Sequence, residues 1–146
     1  MAKILVVEDQ VDLASFTENL LSKAGHVTHW TDASEVALNY LRTGSPDQRP
    51  FDLVVLDIVY LRRKSDGPAL TPEGLRLLRL IRKVPHLAGI PVIGTTTFLP
   101  EDCCETWRQL FMIAGGNAFF EYYYNPDEFL LTVANLLDPG NRRHHD

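Results

Sequence analysis

Three carboxylates stand directly after two short apolar runs: Glu8 and Asp9 follow Ile4–Val7, and Asp57 follows Leu53–Leu56. Unbroken Val/Ile/Leu runs of this length read as parallel strands covered on both faces. Ligands of an open α/β sheet bind outside the carboxyl ends of its strands. If these two strands are neighbours, three acids share one crevice. Like charges so close raise one another's pKa unless a cation neutralises them, and a hard divalent ion, Mg2+ or Mn2+, bound through oxygen is the natural solution. Asp9 alone would read as a helix cap and Asp57 alone as a turn cap. Both together, each straight after a buried strand, favour a site. A third apolar run, Val92-Ile93-Gly94, leads into Thr95-Thr96-Thr97. Hydroxyls there can donate to a phosphoryl oxygen; threonine is also simply a good strand former, and it is the acids that tip the reading.

The rest of the chain must position these groups. Further strand candidates are Val27–Trp30, Val92–Ile93 with its flanks, and Ala118–Tyr122. Between them the apolar spacing is helical. Leu13, Phe16, Leu20, Leu21 and Ala24 share a face before Gly25, and Val36, Ala37, Tyr40 and Leu41 make a shorter helix ended by Gly44-Ser45-Pro46. Leu75, Leu78 and Ile81 form a third, before Pro85. Pro100-Glu101-Asp102 and Pro126-Asp127-Glu128 open a fourth and a fifth, proline and acids suiting a helix N-terminus. The fifth turns Phe129, Leu130, Val133, Leu136 and Leu137 inward. Five strands alternating with five helices predict right-handed crossovers and a doubly wound parallel sheet. In the order 2-1-3-4-5 the first and third strands are neighbours. The long segment Tyr60–Glu73, with Arg62-Arg63-Lys64 and Ser65-Asp66-Gly67-Pro68, is read as a loop. The domain is expected to span 1–139, with 140–146, including His144-His145, a polar tail.

Composition narrows the function. Apolar residues make up 45% and charged residues 23% of 146, the balance of one soluble globular domain. Fourteen Lys and Arg against nineteen Asp and Glu leave a net charge of −5, which argues against nucleic-acid or membrane binding. Cys103 and Cys104 are adjacent, too close for an ordinary disulfide, and no Cys/His spacing fits zinc. That agrees with a reducing cytosol. No signal peptide or membrane span is read in the sequence, so a cytoplasmic protein is expected.

These segments resemble the receiver domains of two-component response regulators over roughly residues 2–138. Ile4-Leu5-Val6-Val7-Glu8-Asp9 is similar to the opening strand and acidic pair, and Leu53-Val54-Val55-Leu56-Asp57 to the phospho-acceptor strand. Ile90-Pro91-Val92-Ile93-Gly94-Thr95-Thr96 resembles the strand ending in the switch hydroxyl. Ala114-Gly115-Gly116-Asn117-Ala118-Phe119 and Asn125-Pro126-Asp127-Glu128-Phe129 resemble the turns around the last strand. The resemblance implies a flavodoxin-like (CheY-like) fold and phosphoryl transfer to Asp57 from a phosphohistidine on a sensor histidine kinase or phosphotransferase. It implies that Asp57 and Asp9 ligate Mg2+ (or Mn2+), Glu8 mostly through water, with the Val59 backbone carbonyl as a further ligand. It also implies that Thr96 closes onto the phosphoryl group while Phe119 rotates inward, reshaping the face of the fourth helix and fifth strand. Such a domain signals by binding a target protein. It is no enzyme beyond its own phosphorylation and dephosphorylation. With no output domain after Leu137, a receiver acting alone is expected; whether it forms a homodimer stays open.

The departures matter as much. Tyr122-Tyr123-Tyr124 stands where receivers usually carry Lys-Pro-Phe, and no lysine follows Lys83. Tyr122 offers one hydrogen bond and no charge at neutral pH. A hydrogen bond to a charged group contributes about 1.5–3 kcal/mol, against about 5.5 kcal/mol to drive a switch from mostly off to mostly on. The expectation is a domain that is phosphorylated but switches weakly or differently. Tyr123 replaces the proline, and with it goes the usual reason for a cis bond. Thr97, where receivers usually have alanine, narrows access to the site. Arg62-Arg63-Lys64 is read as solvated loop rather than a replacement for the lysine, and the aromatic run as core and partner-facing surface. The alternative function is a phosphorylation-independent interaction module. A flavin site is excluded because acids stand where a phosphate loop would be. An Asp-x-Asp phosphatase is excluded because the second acid's position is Val59.

Overall fold

The computed structural model describes residues 1–58, 60–61, 70–71, 73–97, 101–138 and 140. Five strands, β1 (Lys3–Val7), β2 (Val27–Thr31), β3 (Leu53–Asp57), β4 (Val92–Thr96) and β5 (Ala118–Glu121), form one sheet in the order β2-β1-β3-β4-β5. Every pairing is parallel. Five helices alternate with them: α1 (Val11–Lys23), α2 (Ser34–Thr43), α3 (Glu73–Lys83), α4 (Glu101–Ile113) and α5 (Pro126–Leu137). This is the doubly wound flavodoxin-like arrangement expected from the sequence.

Strand alternation divides the core into two layers. Leu5, Val7, Val54 and Leu56 face Ala37 and Leu41 of α2, Leu77, Leu78 and Ile81 of α3, and Phe111 of α4. Ile4, Val6, Leu53 and Val55 face Leu21 of α1 and Phe129 and Val133 of α5. Burial on both sides is why these strands read as continuous apolar runs. Gly44 ends α2 with φ of +76°, a left-handed residue whose N–H donates to the Tyr40 carbonyl at 2.7 Å. Asn125 caps α5, its side chain accepting from the Glu128 N–H at 3.0 Å, with Pro126 at the first turn.

Three details differ from the sequence reading. Ala24 is exposed, because α1 ends at Lys23 and Ala24 only caps it. Tyr60–Leu61 and Leu70–Thr71 pair as a short antiparallel ribbon inside the segment read as a loop; two-residue strands leave no periodic signal. The Tyr122–Tyr123 peptide bond is cis despite the absence of proline, with all three neighbouring tyrosine rings packed against Phe16.

Lys3 is only 2% exposed. Its ammonium donates to the Gly44 and Arg49 carbonyls, each at 2.6 Å, and to Asp47 Oδ1 at 2.5 Å, 4.2 Å from the centre of the Phe51 ring. That bond holds the Asp47 carboxyl down at about 2. A charge this deep is tolerable because all three donors are used. It ties the α2–β3 connection to the sheet.

Candidate functional site

The carboxyl ends of β1 and β3 lie side by side, with Val7 in register with Leu56. Glu8 follows β1, Asp57 ends β3, and one oxygen each from Glu8, Asp9 and Asp57 lies within 4.8 Å of the others. The geometry therefore gathers the three acids singled out in the sequence. Asp9 does not cap α1; that place falls to Gln10, whose side chain makes no capping bond. Glu8 Oε2 accepts from the Gln10 N–H at 3.2 Å, while Glu8 Oε1 and Asp9 Oδ1 are buried without a protein partner.

Burial is the main reason the Glu8 carboxyl rises from 4.5 to about 7; its side-chain interaction with Asp57 opposes the rise and Asp9 adds to it. Two buried acceptor oxygens without donors, in a cluster of acids, are what a hard cation satisfies. The donor set fits Mg2+ or Mn2+.

Backbone contacts hold this end of the sheet in place. The Glu8 N–H donates to the Thr31 carbonyl at 3.1 Å, and the Trp30 indole N–H to the Glu8 carbonyl at 2.8 Å. The Ile58 N–H donates to the Thr95 carbonyl at 3.0 Å. Gly74, in the first turn of α3, sits against β3's end: a Cβ there would lie 2.0 Å from the Asp57 carbonyl oxygen and 2.5 Å from Ile58 Cα. Only glycine permits that approach.

The other expected residues are placed as follows. Thr96 ends β4, fully buried, its hydroxyl donating to the Thr97 carbonyl at 3.3 Å. Phe119 lies in β5, in register with Gly94, and is buried. Tyr122 follows β5, its hydroxyl 2.9 Å from Thr17 Oγ1; Thr17 Oγ1 is also hydrogen-bonded to the Tyr124 hydroxyl. Burial pushes the Tyr122 phenol well above its ordinary value and that of Tyr124 up to about 12, so both hydroxyls are neutral. Of the aromatic run, Tyr124 is core and Tyr123 is exposed. Val59, Arg62-Arg63-Lys64 and the tail from 141 onward lie outside the described residues.

Sequence reasoning missed Thr17, Trp30 and Gly74. Thr17 carried a signal: with Leu13 and Leu21 it falls on the inward face of α1 at four-residue spacing, a polar residue on an apolar stripe. Gly74 reads as an ordinary helix residue until its neighbour across the sheet is known.

No family model matches the sequence, and no curated protein matches it. Solved structures do. A putative response regulator from Chloroflexus aurantiacus is 21% identical with a TM-score of 0.73, covering 93% of this chain and 97% of its own. Chemotaxis protein CheY4 of Vibrio cholerae is 20% identical with a TM-score of 0.71, covering 93% and 98%. NtrX of Brucella abortus is 27% identical with a TM-score of 0.73, covering 99% of this chain, which spans 28% of that protein. The fold is that of response-regulator receiver domains. Among the described residues no helix is long and apolar enough to cross a membrane.

Proposed function

We propose that this receiver-fold chain accepts a phosphoryl group on Asp57 from a phosphohistidine of a sensor kinase or phosphotransferase, with a divalent cation held by Glu8, Asp9 and Asp57. The observation that carries the reading is the convergence of three carboxylates at adjoining strand ends, two of their buried oxygens lacking a protein partner. The stability of the fold does not require three acids together; their mutual repulsion opposes it.

In the transfer, an Asp57 carboxylate oxygen attacks phosphorus, the P–O bond forms as the P–N bond breaks, and the histidine nitrogen leaves with its electron pair and takes a proton. Bound Mg2+ or Mn2+ would offset the charge on the transferring oxygens, the main demand of a loose phosphoryl transition state. Asp57, the proposed nucleophile, ends β3, where the backbone of Gly74 packs directly against it. Thr96, at the end of the adjoining strand, is the proposed hydroxyl donor to a phosphoryl oxygen. Tyr122 takes the place of the lysine that receivers usually carry, and brings a neutral hydroxyl already engaged with Thr17. That engagement favours a second reading, a module that binds its partner without phosphorylation. Acetyl phosphate with Mg2+ separates the two: a phosphorylated wild-type chain and an unlabelled Asp57→Asn chain support transfer, and labelling that persists in Asp57→Asn refutes it.

A further inference from the structure

The acidic hollow occupies one rim of the sheet. The opposite rim, at the amino ends of β3 and β4, holds a cleft of about 510 Å3. One wall is the last turn of α2 with the connection leading into β3; the other is the single 3-10 turn Pro85–Leu87 with the residues leading into β4. Phe51 of this cleft and Asp57 of the hollow are six positions apart along one extended segment, roughly 20 Å at about 3.3 Å per residue. The cleft therefore has no part in the chemistry proposed for the hollow. Its apolar lining comes from Leu41, Phe51, Leu87 and Ile90, all buried.

Both walls are fastened to the rest of the fold. The Lys3 ammonium holds the Gly44 and Arg49 carbonyls, each at 2.6 Å, and a Cβ on Gly44 would come 2.7 Å from the Arg49 carbonyl oxygen. On the other wall the Arg82 guanidinium donates to the Ile90 and Gly115 carbonyls, both at 2.7 Å. Gln48, which also lines the cleft, holds φ at +64°, a left-handed conformation that persists in a non-glycine residue only where its surroundings impose it. Walls held in place before anything enters lose little freedom on binding.

Charge selects the occupant. Arg42 stands on the α2 wall and His86 on the facing turn; both are exposed, and neither has a hydrogen-bond or ion-pair partner among the described residues. The acids at this end are committed elsewhere: Asp52 Oδ2 accepts from the Lys3 N–H at 2.8 Å, and Asp47 pairs with Lys3 and Arg49. The carbonyl end of α2 disfavours an anion, but its Gly44 carbonyl is taken by Lys3, and Arg42 sits in that same last turn. A guanidinium and an imidazole N–H at the mouth of an apolar cleft suit a carboxylate. We propose that the cleft is a second binding site, for a small organic acid with a flat apolar body: the body packs among Leu41, Phe51, Leu87 and Ile90, and the carboxylate meets Arg42 and His86. The volume lies within the range of about 300–1,000 Å3 usual for small-molecule sites.

The probe is 2-naphthoate, with 2-naphthalenemethanol as its uncharged counterpart, each titrated into the full chain in EDTA and followed through the backbone amide resonances by NMR. The expected result is saturable shifts centred on Gly44, Phe51 and Gly89 and none at Glu8 or Asp9, with a dissociation constant for naphthoate of about 1 mM or below. The alcohol should bind at least about threefold more weakly. Because Arg42 is exposed, Arg42→Gln should keep the fold; it should weaken naphthoate about three- to fivefold and leave the alcohol unchanged. No saturable shift at about 10 mM probe, or shifts centred away from the cleft, overturns the proposal. Equal affinity for acid and alcohol overturns it as well, and so does an Arg42→Gln chain that binds naphthoate as the wild type does. The comparison of acid with alcohol needs no variant, and in EDTA the outcome is independent of the phosphoryl reading of Asp57.

Discussion

Glu8→Gln turns the acidic hollow into a measurable pH dependence. In the metal-free chain Glu8 keeps its proton up to about pH 7, against an ordinary value of 4.5. A raised carboxyl means that the folded state binds a proton which the unfolded state has released, so stability falls as pH rises between those values. At 1.36 kcal/mol per pH unit the total loss is about 3 kcal/mol, a large share of the roughly 5–15 kcal/mol that holds a domain together. For a chain of this length it corresponds to a fall in Tm of roughly 6–12 °C. His26 works in the opposite direction. Its Nδ1 accepts from the Ala2 N–H at 3.1 Å, and burial lowers its pKa, so its contribution is present above about pH 6.5 and is lost on acidification. Comparison with Glu8→Gln cancels His26 and isolates Glu8. Thermal unfolding in EDTA from pH 5 to pH 8 should show the wild type losing stability relative to the variant as pH rises. Mg2+ should reverse that loss, stabilising the wild type far more at pH 8 than at pH 5. Parallel curves for wild type and variant would refute the placement of Glu8 in a buried cation site.

Two further substitutions probe what holds the site. Gly74→Ala forces a methyl group into the backbone at Asp57; thermal unfolding should show a loss of about 1–3 kcal/mol, accompanied by reduced labelling by acetyl phosphate. Lys3→Met leaves the Gly44 and Arg49 carbonyls without their buried donor and should cost about 2–3 kcal/mol in denaturant unfolding. Because that anchor lies between the α2–β3 connection and β1, labelling at Asp57 should survive it.

The sheet and its order were legible because parallel strands buried on both faces must be continuously apolar, and Ile4–Val7 and Leu53–Leu56 are. The acids were legible for a related reason: Glu8, Asp9 and Asp57 interrupt those runs where a doubly wound sheet opens to ligands. What stayed hidden depends on partners distant in sequence. Lys3 looks like a solvent-facing flank until the 44–49 backbone is folded over it. Gly74 matters through an approach to Asp57 that no spacing encodes. Thr17 was a polar residue on an apolar helical stripe, but its meaning needed the two tyrosine hydroxyls more than a hundred positions away. Phe119 was correctly placed as an aromatic on the last strand. Its burial against Phe111, in the slot that Gly94 and Gly116 open, is a matter of packing rather than pattern.

The account stands or falls on a cation among residues 8, 9 and 57. Crystals grown with Mn2+ and measured at its absorption edge should show one strong anomalous peak between the carboxylates of Glu8, Asp9 and Asp57, absent in Asp9→Asn. No peak in that hollow at saturating Mn2+, or a peak elsewhere that Asp9→Asn leaves unchanged, would contradict it.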